Sequence, residues 1–201
     1  MEIYRDRARG KLLLTQKSYI EKILSRFGMK KSKPISIPTS MSCKLSLSMS
    51  PQTEELAYMS RVPYANVVGC LMYVKVCTRP YIAHAVCVVS QFMARPGREH
   101  WQGVKRIFRY LRGTTDISLV YGNGKKFLVT GYSGSDYTAD VDTRRSMTGY
   151  VFTLGGSMVS WKSTLQSSVT LSTAEVEYMA LNSAAKESIW LKGLGGELGI
   201  A

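Results

Sequence analysis

The sequence predicts an α/β chain of the α+β class, with helices in its first half and a sheet followed by one helix in its second half. Two observations predict this order. As far as residue 112, apolar residues recur at the three- to four-residue spacing of a helix face. After Gly122 the pattern changes to alternation on either side of a Gly155-Gly156 turn, which is typical of a β-hairpin.

The first 61 residues divide into a structured part and a linker. Residues 16–29 carry an apolar helical stripe with a stop signal at Gly28, so residues 1–29 are predicted to form a strand and a helix. Residues 30–61 are rich in serine, proline, threonine and methionine, and their prolines exclude a long helix. This composition is typical of a linker.

Residues 62–121 are predicted to form a helical region. Its first helix is the apolar segment Pro63–Cys77, and Arg79-Pro80 ends this helix and starts a second one that runs to Met93. A third helix is predicted over residues 98–112, where apolar residues again repeat at helical spacing.

The third helix has a basic face opposite its apolar stripe. A basic face is typical of contacts with a phosphate backbone, and equally of a solvated helix surface. Two arginines near the hairpin allow the same two interpretations. The candidate nucleic-acid-binding residues are Lys105, Arg106, Arg109 and Arg112 on the helix and Arg144 and Arg145 near the hairpin.

Residues 122–201 are predicted to fold as a β-β-β-α unit. A strand over 127–133 precedes the hairpin strands at 149–154 and 158–161, and Val169–Leu171 is predicted as a further short strand. The sheet is therefore expected just before the last helix of the chain.

That last helix begins with a capping-box pattern, Ser172-Thr173-Ala174-Glu175, and is predicted to run to about Gly193. Tyr178, Leu181, Ala185 and Ile189 lie on one apolar stripe of it. Because the sequence then ends, we expect an unpaired sheet edge and a stripe that is only partly covered.

Composition narrows the class of partner. Lysine and arginine number 27 against 14 aspartate and glutamate, a net charge of +13 that favours a polyanion, nucleic acid first. The four cysteines form no C-x-x-C pair and have no paired histidine, which argues against a zinc site. The N-terminus lacks a signal-peptide pattern and no stretch approaches the ~20 apolar residues of a membrane span, so we expect an intracellular chain with no membrane partner.

Several segments, in a consistent order, resemble the copia class of retrotransposon Pol polyproteins. They are YANVVGCLMYV (64–74), TRPYIAHAV (78–86), HWQGVKRIFRYLRGT (100–114), RRSMTGYVF (144–152) and SWKSTLQSSVTLSTAEVEYMAL (160–181). The resemblance covers nearly the whole chain. It implies a reverse-transcriptase tail over residues 1–29, a helical connection region over 62–121 and an incomplete ribonuclease H-like domain over 122–201.

The resemblance also implies where a metal site belongs. Ribonuclease H holds two Mg²⁺ ions with carboxylates from different elements. Gly134 occupies the position of the family's first ligand and Glu177 that of the second, while Asp136 lies two residues further along the strand. The family's Tyr-x-Asp-Asp polymerase motif and its third ribonuclease H carboxylate are not in this sequence. We therefore expect no catalysis, no bound metal and no cofactor, and interpret Gly134, Asp136 and Glu177 as vestigial positions.

A second hypothesis rests on Arg109, Tyr110, Leu111 and Arg112, which spell R-x-L-R. This string is similar to the host-entry motif of secreted oomycete effectors, and it implies a secreted protein that acts on a host protein inside the host cell, including the nucleus. A four-letter match in so basic a chain is a weak signal. The first hypothesis, a Pol-derived fragment that binds nucleic acid without catalysis, is preferred to this one and to a third, a residual metal nuclease.

Overall fold

A computed structural model of the chain describes residues 1–39, 44–122 and 128–199. It contains helices and two three-stranded sheets, which confirms the α+β class. The strands are β1 (Glu2–Asp6), β2 (Lys11–Thr15), β3 (Leu119–Tyr121), β4 (Val129–Asp136), β5 (Met147–Leu154) and β6 (Ser157–Leu165). The α-helices are α1 (Lys17–Arg26), α2 (Thr53–Met59), α3 (Tyr64–Cys77), α4 (Ala83–Ser90), α5 (Arg98–Gly113) and α6 (Thr173–Glu197).

The chain divides into two compact units. The first contains residues 1–4 and 13–119, and the second contains residues 5–12 and those from 120 onward. One sheet has the strand order β1-β2-β3 and the other β4-β5-β6. Within the described ranges, no helix combines the length and the apolar character that crossing a membrane requires.

The core of the first unit forms where α1, α3, α4 and α5 meet. Helix α3 contributes Val67, Leu71 and Val74, all with no exposed surface. The hydroxyl of Tyr64 donates a hydrogen bond to the Val89 carbonyl at 2.8 Å, so this buried polar group keeps a partner. Burial raises the pKa of Tyr64 and keeps its hydroxyl protonated.

Helix α5 buries the stripe that its sequence predicts. Val104, Phe108 and Leu111 have no exposed surface and belong to the core cluster of the first unit. Phe108 also packs against Phe27, with ring centroids 5.8 Å apart. The stripe is therefore what holds α5 in the core.

The start of α5 holds part of the range that composition marks as a linker. His100 has no exposed surface, and its Nδ1 accepts the Gly97 N–H at 2.8 Å. Its Nε2 lies 3.0 Å from the Ser46 carbonyl and must therefore carry the proton and donate. A side chain at Gly97 would lie 1.9 Å from the Met49 carbonyl oxygen, so only glycine allows this close approach. The stretch around residues 46–49 is thus packed against α5, and helix α2, which the sequence did not predict, follows it.

The second unit is built on the predicted hairpin. Gly155 and Gly156 have φ angles of 58° and 84°, the left-handed pair that a two-residue type I′ turn requires. Strand β4 pairs antiparallel with β5, and β5 pairs antiparallel with β6. Phe127, predicted to begin the first strand, lies outside the described residues.

The prediction of a strand at Val169–Leu171 is wrong. Val169 is 52% exposed and Leu171 is 89% exposed, and neither belongs to a strand. Strand β6 runs on to Leu165 instead, and Gln166 then turns the chain. The Gln166 amide donates to the Thr148 hydroxyl at 2.9 Å and to the Val176 carbonyl at 3.2 Å, which ties the sheet directly to α6.

Helix α6 begins at the predicted N-cap, Ser172, but the Glu175 side chain bonds one residue earlier than a capping box requires. The Ser172 hydroxyl accepts the Glu175 N–H at 3.2 Å, and the Glu175 carboxylate accepts the Leu171 N–H at 2.8 Å. The helix then continues to Glu197, past the predicted end at Gly193.

The face by which α6 packs is not the predicted stripe. Tyr178, Leu181 and Ile189 are 73%, 56% and 71% exposed. The buried residues are Val176, Ala180 and Ala184, and Ala184 packs in a cluster with Tyr150 and Phe152 of β5. Small helix residues fit here because the sheet supplies bulky aromatic rings.

A polar contact reinforces the packing of α6 on the sheet. The Glu187 carboxylate accepts the Tyr150 hydroxyl at 3.1 Å and the Ser160 hydroxyl at 2.6 Å. Desolvation, followed by the Glu187 charge, raises the pKa of Tyr150 to about 12, so Tyr150 remains a donor at neutral pH.

Replacing Leu111 tests the core of the first unit. Leu111→Ala removes a fully buried side chain, and we expect it to lower the free energy of unfolding by about 2–5 kcal/mol. The matched control is Leu47→Ala, because Leu47 is 54% exposed and its loss leaves no cavity. Chemical denaturation of both variants measures the difference, and equal stability of Leu111→Ala and the parent would contradict the packing of α5.

Candidate functional site

The predicted metal-site positions lie where β4 passes beside α6. The Ser135 hydroxyl donates to Glu177 Oε1 at 2.6 Å. Strand β4 stays paired with β5 as far as Asp136, so Gly134 and Asp136 share one face of the strand. Ser135 points to the other face, because side chains alternate along a strand. Glu177 is therefore held at Ser135, and the structure does not bring it together with Gly134 and Asp136.

Nothing in the fold requires glycine at position 134. A side chain added there would meet no atom within 4 Å, and the backbone does not adopt the left-handed conformation that favours glycine. A carboxylate at this position is therefore sterically allowed. Packing therefore does not account for the glycine at the position that sequence analysis assigns to the family's first ligand.

Across the described residues, no group of three or more histidine, cysteine, aspartate or glutamate side chains could hold a metal ion. Mg²⁺ requires several hard oxygen ligands in a near-octahedral arrangement. Glu177 and the Ser135 hydroxyl are one carboxylate and one neutral oxygen, so this pair does not fit the two Mg²⁺ ions of an intact ribonuclease H.

The acid nearest the predicted site in the following loop is a structural residue. Asp140 is buried and its carboxylate accepts the Asp142 N–H at 3.1 Å and the Thr143 hydroxyl. Its carbonyl accepts the Arg144 N–H at 2.9 Å. Arg144 has a φ of 61°, and the Nε of Arg145 donates to the Thr143 hydroxyl at 3.1 Å. Asp140 thus shapes the loop that presents both arginines.

A basic surface forms where the chain after α1 meets the end of α5. Arg109 Nε donates to the Lys33 carbonyl and Arg112 Nε donates to the Lys30 carbonyl, both at 2.8 Å. The exposed side chains of Lys30, Lys31 and Lys33 are thereby held beside these two arginines. We call Lys30, Lys31, Lys33, Arg109 and Arg112 the basic surface.

Sequence reasoning missed the three lysines of this surface. They were assigned to the linker, although the run K-K-S-K at residues 30–33 is a visible charge cluster. Their neighbours in space are almost eighty residues away in sequence, as the Arg109–Lys33 bond shows. Only the folded chain brings the lysines and arginines together.

Lys105 and Arg106, the other two predicted binding residues of α5, are only half-exposed. Lys105 Nζ lies 5.9 Å from the centroid of the Trp101 ring, a cation–π contact. Arg106 is half-buried, and within the described chain its Nε is buried without a hydrogen-bond partner.

The R-x-L-R string lies within α5 and takes part in its packing. Leu111 has no exposed surface, and both arginines are bonded to main-chain carbonyls. Tyr110 packs against the core, and burial raises its pKa. A receptor could not read Leu111 without unfolding this helix.

Comparison with known proteins identifies the family. The chain is 52% identical over its whole length to a retrovirus-related Pol polyprotein from transposon TNT 1-94 of Nicotiana tabacum. It is also 35% identical, over 89% of its length, to the uncharacterized mitochondrial protein AtMg00810 of Arabidopsis thaliana, of which it covers 72%. The chain belongs to the copia-type retrotransposon Pol family. It spans 15% of the tobacco polyprotein, so the activities of a whole Pol polyprotein are not assigned to it.

A third relative bears the name of a secreted effector and not of a Pol polyprotein. Over 133 residues, 66% of this chain, the sequence is 47% identical to the secreted RxLR effector protein 161 of Plasmopara viticola, and the match covers 94% of that protein. No family model and no solved structure matches the chain.

A Gly134→Asp variant tests the geometry of the site. We expect it to melt at the same temperature as the parent, because the added side chain meets no neighbour. We also expect no metal-dependent cleavage of an RNA–DNA hybrid, because Glu177 is held at Ser135 on the other face of β4. Thermal melting and a hybrid-cleavage assay in Mg²⁺ or Mn²⁺ measure the two results. Cleavage that disappears when Glu177→Gln is added would show that positions 134 and 177 do converge.

Proposed function

We propose that this Pol-derived chain binds nucleic acid without sequence preference and does not cleave it. The observation that carries the proposal is the basic surface, in which two arginines hold a lysine-rich segment in place through main-chain bonds. Fixed lysines and arginines suit the regular spacing of phosphates. The net charge of +13 adds a long-range attraction to any polyanion.

The absence of cleavage follows from the chemistry of the vestigial site. Gly134 supplies no ligand, and Glu177 accepts a hydrogen bond from Ser135. Two-metal hydrolysis requires ions that activate water on one side of the phosphate and stabilise the leaving oxygen on the other. One exposed carboxylate with a hydroxyl neighbour provides neither position.

The binding proposal is tested by the salt dependence of affinity for a hybrid duplex. Replacing Lys30, Lys31 and Lys33 with glutamine should reduce the slope of log K against log salt by up to about 3, because each lost phosphate contact removes roughly 0.9. These lysines are preferred to Arg109 and Arg112, whose loss would also release the segment.

The control for that experiment is a triple substitution of equal charge, Arg5, Arg7 and Arg9 to glutamine, since these arginines are exposed and lie outside the basic surface. We expect the control to retain the parent slope. Equal reductions in the two triple variants would mean that overall charge, rather than the basic surface, binds the duplex.

A separate assay tests the catalytic half of the proposal. The purified chain should leave the RNA strand of a hybrid intact in Mg²⁺ or Mn²⁺, and Glu177→Gln should change neither this result nor the binding. Activity above background that is lost in Glu177→Gln would overturn the proposal.

The similarity to effector protein 161 favours a second candidate function, a secreted effector that contacts a host protein. The packing of Leu111 argues that such a protein would use its folded surface rather than the R-x-L-R string. Fusing the chain to a secretion signal and measuring host entry distinguishes a role of the R-x-L-R string from a role of the folded surface. Loss of host entry in an Arg109→Gln, Arg112→Gln variant that still melts with the parent would support the string, and unchanged entry would assign the effect to the folded surface.

A further inference from the structure

Helix α6 is apolar on two opposite faces. Val176, Ala180 and Ala184 form the buried face. At 3.6 residues per turn, Tyr178, Leu181, Ala185 and Ile189 lie on the other side of the helix, and all four are exposed. We call these four residues the outer face.

A helix that is apolar on both sides is typical of a position between two layers. In the second unit the sheet covers one side and leaves the outer face in water. Tyr178, Leu181 and Ile189 are 73%, 56% and 71% exposed. A contiguous exposed apolar patch of this kind marks an interaction surface.

We propose that the outer face is the interface of an antiparallel, two-fold dimer, in which α6 packs against α6 of a second copy. Such an interface is self-complementary, so it closes at two copies. Ala185, the small residue near the middle of the face, lies at the crossing point and lets the two backbones approach closely.

The charges along the helix favour a second copy as the occupant. Glu175 lies one turn before Tyr178, and Lys192 lies one turn after Ile189. When two helices cross antiparallel at Ala185, Lys192 of one copy reaches the level of Tyr178 in the other, within a turn of Glu175. A parallel pair would place each charge beside the same charge of the other copy. Antiparallel helix dipoles also attract each other.

The size of the face suits a weak but specific dimer. A fully buried aromatic side chain covers roughly 150–250 Å². On this basis Tyr178, Leu181 and Ile189 would bury about 400 Å² per copy. That is roughly half of the about 800 Å² per partner that specific interfaces bury on average, which is the size expected of a weak dimer.

Sedimentation equilibrium of the purified chain tests the proposal. The parent should fit a monomer–dimer equilibrium, and Ile189→Asp should raise the dissociation constant at least tenfold, because it places a charge in the apolar interface. The matched control is Val169→Asp, a similar exposed apolar residue of the same unit that is not on α6. Lys192→Glu should weaken the dimer as well, whereas Lys162→Glu, an exposed lysine on β6, should not.

Circular dichroism melts keep the interpretation independent of folding, since both Ile189 and Lys192 are exposed and their variants should retain the helical signal. A parent that stays monomeric up to its solubility limit overturns the proposal. A series of ever larger aggregates would also overturn it. The same holds for a dimer that Ile189→Asp and Val169→Asp weaken equally.

Disulfide trapping tests the antiparallel orientation. Ala185→Cys should cross-link to itself under mild oxidation, because the two-fold axis passes through it. Tyr178→Cys should cross-link in a mixture with Lys192→Cys and not when present alone. The parent, with its native cysteines, sets the background. Efficient self-linking of Tyr178→Cys would show a parallel pair and overturn the proposed geometry.

Discussion

The first unit depends on the apolar contacts and hydrogen bonds by which α5 holds residues that precede α2. One face of α5 supplies Val104, Phe108 and Leu111 to the core. Its start, through His100, holds the Ser46 carbonyl, and its end, through Arg109 and Arg112, holds the carbonyls of Lys33 and Lys30. The two arginine bonds are charge-assisted, and such bonds are roughly twice as strong as neutral ones. Residues 30–33 and 46–49 are therefore held against α5, and the basic surface depends on the first of these two stretches.

The second unit consists of the antiparallel sheet β4-β5-β6 and the helix α6 that packs on it. The elements that hold it together are the Gly155-Gly156 turn, the Ser172 cap, the Gln166 bonds and the Glu187 contact with the sheet. None of these involves the metal-site positions. A side chain at position 134 would meet no neighbour, so the fold does not depend on which residue stands there.

Helix α6 connects the packing of the second unit with its association. Tyr150 and Phe152 are large, so the helix face that meets them must be small, and alanines at positions 180 and 184 satisfy this requirement. The larger apolar residues are thereby left on the outer face. The size matching that secures the helix to the sheet thus also leaves exposed the apolar residues of the proposed dimer interface.

The sequence by itself determined the features that depend on neighbouring residues. The periodicity of α3 and α5, the glycine pair of the hairpin and the N-cap at Ser172 are local signals, and each produced the expected element. The vestigial positions Gly134 and Glu177 were located by resemblance to the family, since a glycine carries no chemical signal of its own.

Only the tertiary structure decided the features that depend on distant residues. Periodicity predicts that α6 is apolar, but two opposite faces satisfy it, and the aromatic rings of β5 select between them. Val169–Leu171 is β-like in composition, yet it forms no strand and leads directly into the α6 cap. The lysines at 30–33 lie beside Arg109 and Arg112 because of hydrogen bonds between residues that are far apart in the sequence. Local sequence encodes what an element is, whereas its partner is set by the size, charge and hydrogen-bonding groups that folding brings to it.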